Sequence, residues 1–472
     1  MGSREVIDLQ GKRVTVAGLG VSGIPAAKVL HARGAHVTVV NDGDDARARE
    51  QAAELEALGV IVRLGDGATL PEGTELVVTA PGWKPDKPLF TAARAAGVEI
   101  WGDVELAWRL RGPDAAPWLA ITGTNGKTTT TQMLASILKA AGLRTAAVGN
   151  IGVSVLDAVL GDEQYDVLAV ELSSYQLHWA PSVRAHSAAV LNLAPDHLDW
   201  HGSMEAYAAD KGRVYEGNRV ACVYNVADKA TEDLVREADV EEGCRAIGFT
   251  LGTPGPSQLG VVEGILVDRA FVEDRHKNAQ ELAEVSDVNP PAPHNVANAL
   301  AAAALARAFG VPARAVRDGL RDFTPDAHRI AHVADVGGVA YVDDSKATNT
   351  HAAEASLAAY ESIVWIAGGL AKGATFDELV AKSAKRLRGV VLIGQDRALI
   401  REALARHAPE VPVVDLDRTD TGAMLAAVQE ASRLAVAGDT VLLAPACASM
   451  DMFANYNKRG DAFAEAVREL GS

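Results

Sequence analysis

Short runs of β-branched residues alternate with Ala-rich stretches along the whole 472-residue chain. KRVTVAG at 12–18, HVTVV at 36–40 and ELVVT at 75–79 have strand length and strand composition, as do WLAI at 118–121, DVLAVE at 166–171, AAVLN at 188–192 and VACVY at 220–224. The intervening stretches 24–33 and 49–58 are built from good helix formers. Strands separated by helices in this way specify parallel sheets covered by helices, an α/β class. Further strands are predicted at 60–63, 339–342, 363–367, 389–393 and 440–444, and a last helix at 461–470. The 296–309 segment is apolar all round, so it belongs inside a core. Residues 250–293 are rich in Gly and Pro, with a hairpin expected around Val261–Val267.

At about 100–200 residues per domain, a chain of this length holds several domains. Arg111-Gly-Pro-Asp-Ala-Ala-Pro117 has linker composition, and a third block opens near Phe323-Thr-Pro325. The formal net charge of −17 argues against a protein that coats nucleic acid. It leaves room for anionic small ligands, which local Lys, Arg and backbone N–H groups hold inside an acidic protein. Cys222, Cys244 and Cys447 form no C-x-x-C pair, which speaks against a disulfide framework or zinc ribbon and for a reducing compartment. The N-terminal Met1-Gly-Ser-Arg-Glu-Val shows no secretory pattern, and no apolar run of 18 residues is present, so a cytoplasmic protein without a membrane span is expected.

The strongest local signal is Ala120-Ile-Thr-Gly-Thr-Asn-Gly-Lys-Thr-Thr-Thr130, with a strand leading in and a helix leading out. Gly123 and Gly126 permit a turn that aims N–H groups inward, Lys127 suits β- and γ-phosphates, and the Thr128 hydroxyl suits Mg²⁺. Ile121 stands where a full Walker A sequence has its first Gly. Gly18-Leu-Gly-Val-Ser-Gly23 also joins a strand to a helix and fits G-x-G-x-x-G, with Asp42 about 20 residues on, near a ribose-binding position. Two anion sites in two separate blocks are therefore expected.

Other polar clusters follow strands. Glu171 heads Glu-Leu-Ser-Ser-Tyr-Gln176 and reads either as a Mg²⁺ ligand or as an acidic residue at a capped helix start. Asp196-His-Leu-Asp-Trp-His201 has metal-ligand composition, with a polar loop the plainer reading. His294-Asn-Val-Ala-Asn298 introduces the Ala-rich helix. Asp343-Asp-Ser-Lys-Ala-Thr-Asn349, Gly368-Gly-Leu-Ala-Lys372 and Pro445-Ala-Cys-Ala-Ser449 each close a strand of the third block, where open α/β sheets place ligands; together they predict one crevice. On these residues alone, a nucleotide-driven ligase, a nucleotide switch and a dinucleotide oxidoreductase using residues 18–23 all stay open.

The set as a whole resembles the Mur ligases of peptidoglycan synthesis. The resemblance covers essentially the entire chain, through GLGVSG, APGW at 80–83, GDVEL at 102–106, ITGTNGKTTT, GNIG at 149–152, ELSSYQL, LNLAPDHLD, YAADKGRVYE around Lys211, HNVANALAA, AHR at 327–329, DDSKATN, GGLAKG and PACASMDMF. It implies three domains: a Rossmann-like UDP-substrate domain over 1–111, a central P-loop-type ATPase domain with a mostly parallel sheet over 112–324, and a Rossmann-like amino-acid domain over 325–472. DDSKATN, ELSSYQL and the ACAS segment resemble the branch that adds D-glutamate to UDP-N-acetylmuramoyl-L-alanine. The implied chemistry is ATP-driven amide formation through an acyl phosphate, with Mg²⁺ at two sites, in a cytoplasmic monomer.

Carried onto this sequence, the resemblance implies that Lys127, Glu171, His197 and Lys211 are catalytic. Gly123, Thr124, Asn125, Gly126, Lys127, Thr128, Thr129, Asn295, Asn298, Arg329 and Asp344 would bind ATP. Thr128, Glu171, His197 and Lys211 would hold the metal ions, Lys211 as a carbamate because an ammonium repels Mg²⁺. Gly20, Val21, Ser22, Asn41, Asp42, Gly82 and Asn150 would contact the UDP-substrate. Lys346, Thr348, Lys372, Ser449 and Tyr456 would bind D-glutamate. The chain departs from the family pattern at Asn41-Asp42-Gly43, at Leu370-Ala371 before Lys372, and near Tyr456, where a Phe is usual; its Pro- and Gly-rich stretch 250–289 is longer than the family needs and reads as a surface insertion without an assigned role.

Overall fold

Three sheets follow one another along the chain in a computed structural model that describes residues 7–470 apart from 419 and 421. Met1–Val6, in which no leader was expected, lies outside the described residues. The first sheet contains β1 (Arg13–Ala17), β2 (His36–Asn41), β3 (Ile61–Leu64), β4 (Leu76–Thr79) and β5 (Glu99–Gly102). Its order is β3-β2-β1-β4-β5, with every pairing parallel. The chain switches sides after β1, so the turn at 18–23 opens at the topological switch point where such sheets bind ligands.

The second sheet contains β6 (Trp118–Thr122), β7 (Ala147–Gly149), β8 (Leu168–Glu171), β9 (Ser187–Val190), β10 (Ala221–Asn225), β11 (Arg245–Phe249), β12 (Gln258–Val262), β13 (Ile265–Asp268) and β14 (Gln280–Glu284). Its order is β14-β13-β12-β11-β10-β9-β6-β8-β7. The predicted hairpin is β12–β13, paired antiparallel. The stretch 250–289 is more than a surface insertion, however: β12, β13 and β14 extend the sheet, and Leu259, Leu266 and Leu282 enter its core. The Ala-rich helix Pro293–Ala308 is buried as expected, with Ala299 through Ala306 at 0% exposure.

The third sheet contains β15 (Ala331–Val336), β16 (Val339–Asp343), β17 (Ile363–Gly368), β18 (Leu387–Ile393), β19 (Val413–Asp415) and β20 (Thr440–Leu443), in the order β15-β16-β20-β17-β18-β19. Only β15 runs antiparallel, to β16. The C-terminal helix is longer than predicted and starts at Tyr456 rather than 461. The chain forms two compact units, Met1–Val288 with Val296–Phe323, and Asn289–Asn295 with Thr324–Ser472. The first contains the first two sheets and the second contains the third.

Candidate active site

Strand β6 lies between β8 and β9, so three strand ends meet at the phosphate loop. The register pairs Ile121 with Glu171 on one side and Thr122 with Val190 on the other. Gly126 has φ +84°, and a Cβ there would lie 2.4 Å from Asn298 Oδ1, so any other residue would strain the turn and push the asparagine aside. Thr124 Oγ1 donates to Ala194 O at 3.1 Å and accepts from Ala194 N at 3.0 Å, with Tyr207 Oη also 3.0 Å away. Asn125 N donates to Asn192 Oδ1 at 2.9 Å, and Asn192 Nδ2 returns a bond to Asn125 O at 3.0 Å. The loop is thus clamped by the segment that follows β9. Thr128 is half-buried and Thr129 buried in the first turn of the helix Lys127–Ala140, whose N-terminus favours anions. Asn295 and Asn298 are both buried in the Ala-rich helix.

Lys127 and Lys211 come to the same oxygen. Lys127 Nζ donates to Gly123 O at 2.9 Å and Thr124 O at 2.8 Å, while Lys211 Nζ donates to Gly123 O at 2.8 Å. Lys211 is 2% exposed. Burial, joined by the Lys127 charge, holds its pKa well below that of an ordinary lysine, against the pull of Asp196, Glu171 and Asp210. The neutral amine this favours is the form that takes up CO₂.

Glu171 is buried at the end of β8. Its Oε1 accepts from Asn150 Nδ2 at 2.9 Å, and its Oε2 is buried with no hydrogen-bond partner. A buried, unpartnered carboxylate oxygen beside a phosphate loop fits a divalent cation. His197 sits in the left-handed region at φ 54°, with Nε2 3.5 Å from Asp196 Oδ2. Burial lowers its pKa, opposed by Asp196 and reinforced by Lys127 and Lys211.

The compositional cluster 196–201 does not converge on one point. His201 turns to Asp210 and Ser174, whereas His197 stays by Asp196. Among the described residues no three His, Cys, Asp or Glu side chains gather as a metal centre of those types alone would require. Asp210, to which the YAADKGRVYE segment gave no role, accepts from His178 and His201, and Arg213 Nε forms an ion pair with it at 3.1 Å. Burial raises its carboxyl, but the two histidine bonds and the Arg213 charge outweigh this and set its pKa at about 2.

In the first sheet, Gly20 and Ser22 are half-buried and Val21 is 88% exposed. Asn41 Oδ1 accepts from Leu19 N at 3.1 Å, tying the end of β2 to the loop. Asp42 accepts from Lys87 Nζ at 2.5 Å, and that ammonium lies 4.4 Å from the Trp83 ring centroid. Gly82 O accepts from Trp200 Nε1 at 3.1 Å, and Ser22 Oγ donates to Asp103 Oδ2 at 2.8 Å. Trp83 and Asp103 lie in the APGW and GDVEL segments, which gave them no individual role, and Lys87 lies in none of the motifs; the fold brings all three to this loop.

In the third sheet, the three strand-end clusters come out side by side. Strands β16, β20 and β17 are consecutive, so DDSKATN, PACAS and GGLAK leave adjacent ends. Backbone bonds join them: Ala446 N to Ala347 O at 2.9 Å, Leu370 N to Ala448 O at 2.9 Å and Gly368 N to Pro445 O at 2.9 Å. Lys346 Nζ lies 4.1 Å from the Tyr456 ring centroid. Ser449 is buried, Thr348 half-buried, and Lys372 exposed with φ 49°. Asp344 is buried and accepts from Ser356 Oγ and from Ile330 N; burial, with Asp343 adding, pushes its pKa up to about 6. Arg329 is half-buried, with Nε 3.9 Å from Asp326.

Sequence models of three domains match in chain order: the MurD-like N-terminal domain of Mur ligases over 12–102, the Mur ligase middle domain over 121–306, and the Mur ligase glutamate ligase domain over 328–447. The chain belongs to the Mur ligase family. It is 89% identical to a UDP-N-acetylmuramoylalanine–D-glutamate ligase of Streptomyces avermitilis, over 98% of this chain and 99% of that one. It is 88% identical to the protein of the same name from Streptomyces coelicolor, over 98% and 99%. The fold matches a pseudomurein peptide ligase type C from Methanothermus fervidus with a TM-score of 0.58, at 17% identity, over 98% of this chain and 100% of that one.

Proposed function

We propose that this chain joins D-glutamate to UDP-N-acetylmuramoyl-L-alanine at the expense of ATP, as a step in making peptidoglycan precursors. The reading is supported by the names of its Streptomyces relatives. The observation that carries the chemistry is the meeting of Lys127, Lys211 and Glu171 around the end of β6. A carboxylate is a poor electrophile. Its oxygen attacks the γ-phosphorus of ATP, ADP leaves, and the resulting acyl phosphate carries a good leaving group. The D-glutamate amine then attacks the acyl carbon, loses a proton, and phosphate departs with its bonding electrons.

Both steps crowd anions together, so fixed positive charge aimed at them contributes most to rate. Lys127 and the N–H groups of 123–128 take the phosphates in this reading, with Asn295, Asn298, Arg329 and Asp344 on the rest of the nucleotide. Thr128 and Glu171 hold one Mg²⁺. His197 holds a second together with Lys211, whose amine adds to CO₂ and loses a proton to become a carbamate. Magnesium, when bound, supplies Lewis-acid charge that offsets the repulsion between phosphate and carboxylate. Gly20, Val21, Ser22, Asn41, Asp42, Gly82 and Asn150 receive the UDP-substrate, and Lys346, Thr348, Lys372, Ser449 and Tyr456 receive D-glutamate. We assign the domains as 1–111, 112–324 and 325–472, acting in the cytoplasm as a monomer.

The test is phosphate release with ATP, Mg²⁺ and UDP-N-acetylmuramoyl-L-alanine, with D-glutamate, L-glutamate, glycine, D-alanine or meso-diaminopimelate supplied separately. Release with D-glutamate alone supports the reading. Release with another acceptor moves the chain to a different acceptor class. Release that needs no acceptor makes it a nucleotide switch.

A further inference from the structure

We propose that Asp210 is a positioning residue that holds the Lys211 carbamate in register with Glu171 and His197. This rests on the reading of Lys211 as a carbamate given above. The three groups stand on three separate segments. The helix Ser174–His178 starts shortly after Glu171, the helix Leu198–His201 directly follows His197, and the helix Met204–Gly212 carries Lys211. Asp210 joins all three. Its carboxylate accepts from His178 Nδ1 at 3.0 and 2.9 Å and from His201 Nδ1 at 3.0 Å, and Arg213 Nε lies 3.1 Å away.

The connection continues one bond further. His201 Nε2 is 2.9 Å from Ser174 Oγ, so His201 spans from Asp210 to the first residue of the helix after Glu171. The Tyr175 ring stacks on His201 at 5.5 Å with a 10° interplanar angle and meets the His197 ring at 4.9 Å. An ionised carboxylate only accepts, so both Nδ1 atoms carry protons and the ring orientations are set. Groups one layer behind metal ligands act in this way, and their loss costs about 10–100-fold in metal affinity or activity. A ligand site built on separate elements depends on such supports to reach its geometry.

The experiment uses the full chain with ¹³C-bicarbonate and Mg²⁺. Carbon-13 NMR reads the carbamate, assigned by its loss in Lys211→Met, and phosphate release gives the Mg²⁺ concentration for half-maximal rate. Removing a negative charge beside Lys211 by itself favours the neutral amine and hence more carbamate. Positioning predicts the opposite. Asp210→Asn should lower the carbamate signal and raise the Mg²⁺ requirement by about 10-fold or more. His178→Leu, which removes one donor and leaves Asp210 in place, should shift both readouts the same way, and His178→Asn, which retains a donor, should restore them in part. If Asp210→Asn fails to fold by circular dichroism, the His178 pair decides. Wild-type carbamate and Mg²⁺ dependence in Asp210→Asn and His178→Leu would overturn the positioning role alone. No carbamate signal in the wild type would overturn the carbamate reading and the proposal with it.

Discussion

Lys127 and Lys211 donate to a single acceptor, the carbonyl of Gly123, at 2.9 and 2.8 Å. Burial, reinforced by the Lys127 charge, drives Lys211 toward its neutral form. In the proposed reaction Lys127 meets the incoming phosphate. Replacement of Lys127 by Ala should reduce D-glutamate-dependent phosphate release by about 10²–10³, the range for losing one fixed donor to transition-state charge. Near-full activity in that variant would remove Lys127 from the mechanism.

Glu171 shares one oxygen with Asn150 and leaves the other buried without a partner. In Glu171→Gln the packing is kept and the charge is lost. The Mg²⁺ concentration for half-maximal phosphate release should rise about 10-fold or more, and excess chelator should abolish release in the wild type until Mg²⁺ is returned. An unchanged Mg²⁺ dependence in the variant would exclude Glu171 as a ligand.

Arg459 is 1% exposed and holds two of the strand-end loops together. It donates to Ser345 Oγ at 3.0 Å, Ser345 O at 2.8 Å and Cys447 O at 3.1 Å, while Ser345 Oγ donates to Tyr456 O at 2.8 Å. Arg459→Met leaves those buried acceptors short of donors, at a cost of about 1–3 kcal/mol. Thermal unfolding should shift down, and the KM for D-glutamate should rise more than that for ATP. Equal shifts in both would argue for general destabilisation.

His328 Nδ1 lies 2.6 Å from Asp343 Oδ2, and its Nε2 is 3.4 Å from Asp461 Oδ1. The Asp343 bond raises the histidine pKa above 6.5, against burial and with help from the charge of both aspartates. A raised histidine pKa stabilises the fold fully below the unfolded value near 6.5 and loses that contribution as pH climbs through the folded value. Denaturant midpoints of the wild type and Asp343→Asn should therefore differ more at pH 6 than at pH 9. The same difference at both pH values would exclude the ion pair as its source.

The strand–turn–helix around Gly123–Lys127 was legible because everything it needs lies within one short window: an apolar strand, two glycines, a lysine and a helix start. The alternation of strand and helix likewise announced parallel sheets, and the apolar 296–309 segment announced a buried helix. Local composition misled where punctuation hid pairing. The Gly- and Pro-rich 250–289 stretch holds three strands at the end of the nine-stranded sheet; its β12–β13 hairpin was legible, but the pairing of β12 with β11 and of β13 with β14 joins residues outside that short window. The Asp196–His201 run left a metal site open beside the plainer reading of a polar loop, and only the fold shows that its two histidines serve different carboxylates.

The sequence by itself determined the α/β class, the strand–turn–helix around Gly123–Lys127 and the identity of the strand-end clusters, because these depend on neighbours a few bonds away. The tertiary structure decided which clusters meet. Strand order makes β16, β20 and β17 neighbours and sets β6 between β8 and β9. It also brought Lys211 to the Gly123 carbonyl and made Asp210 the junction of three helices. Burial and charge at those points come from segments far apart in the chain, so the low pKa of Lys211 and the idle oxygen of Glu171 exist only once the sheet has formed.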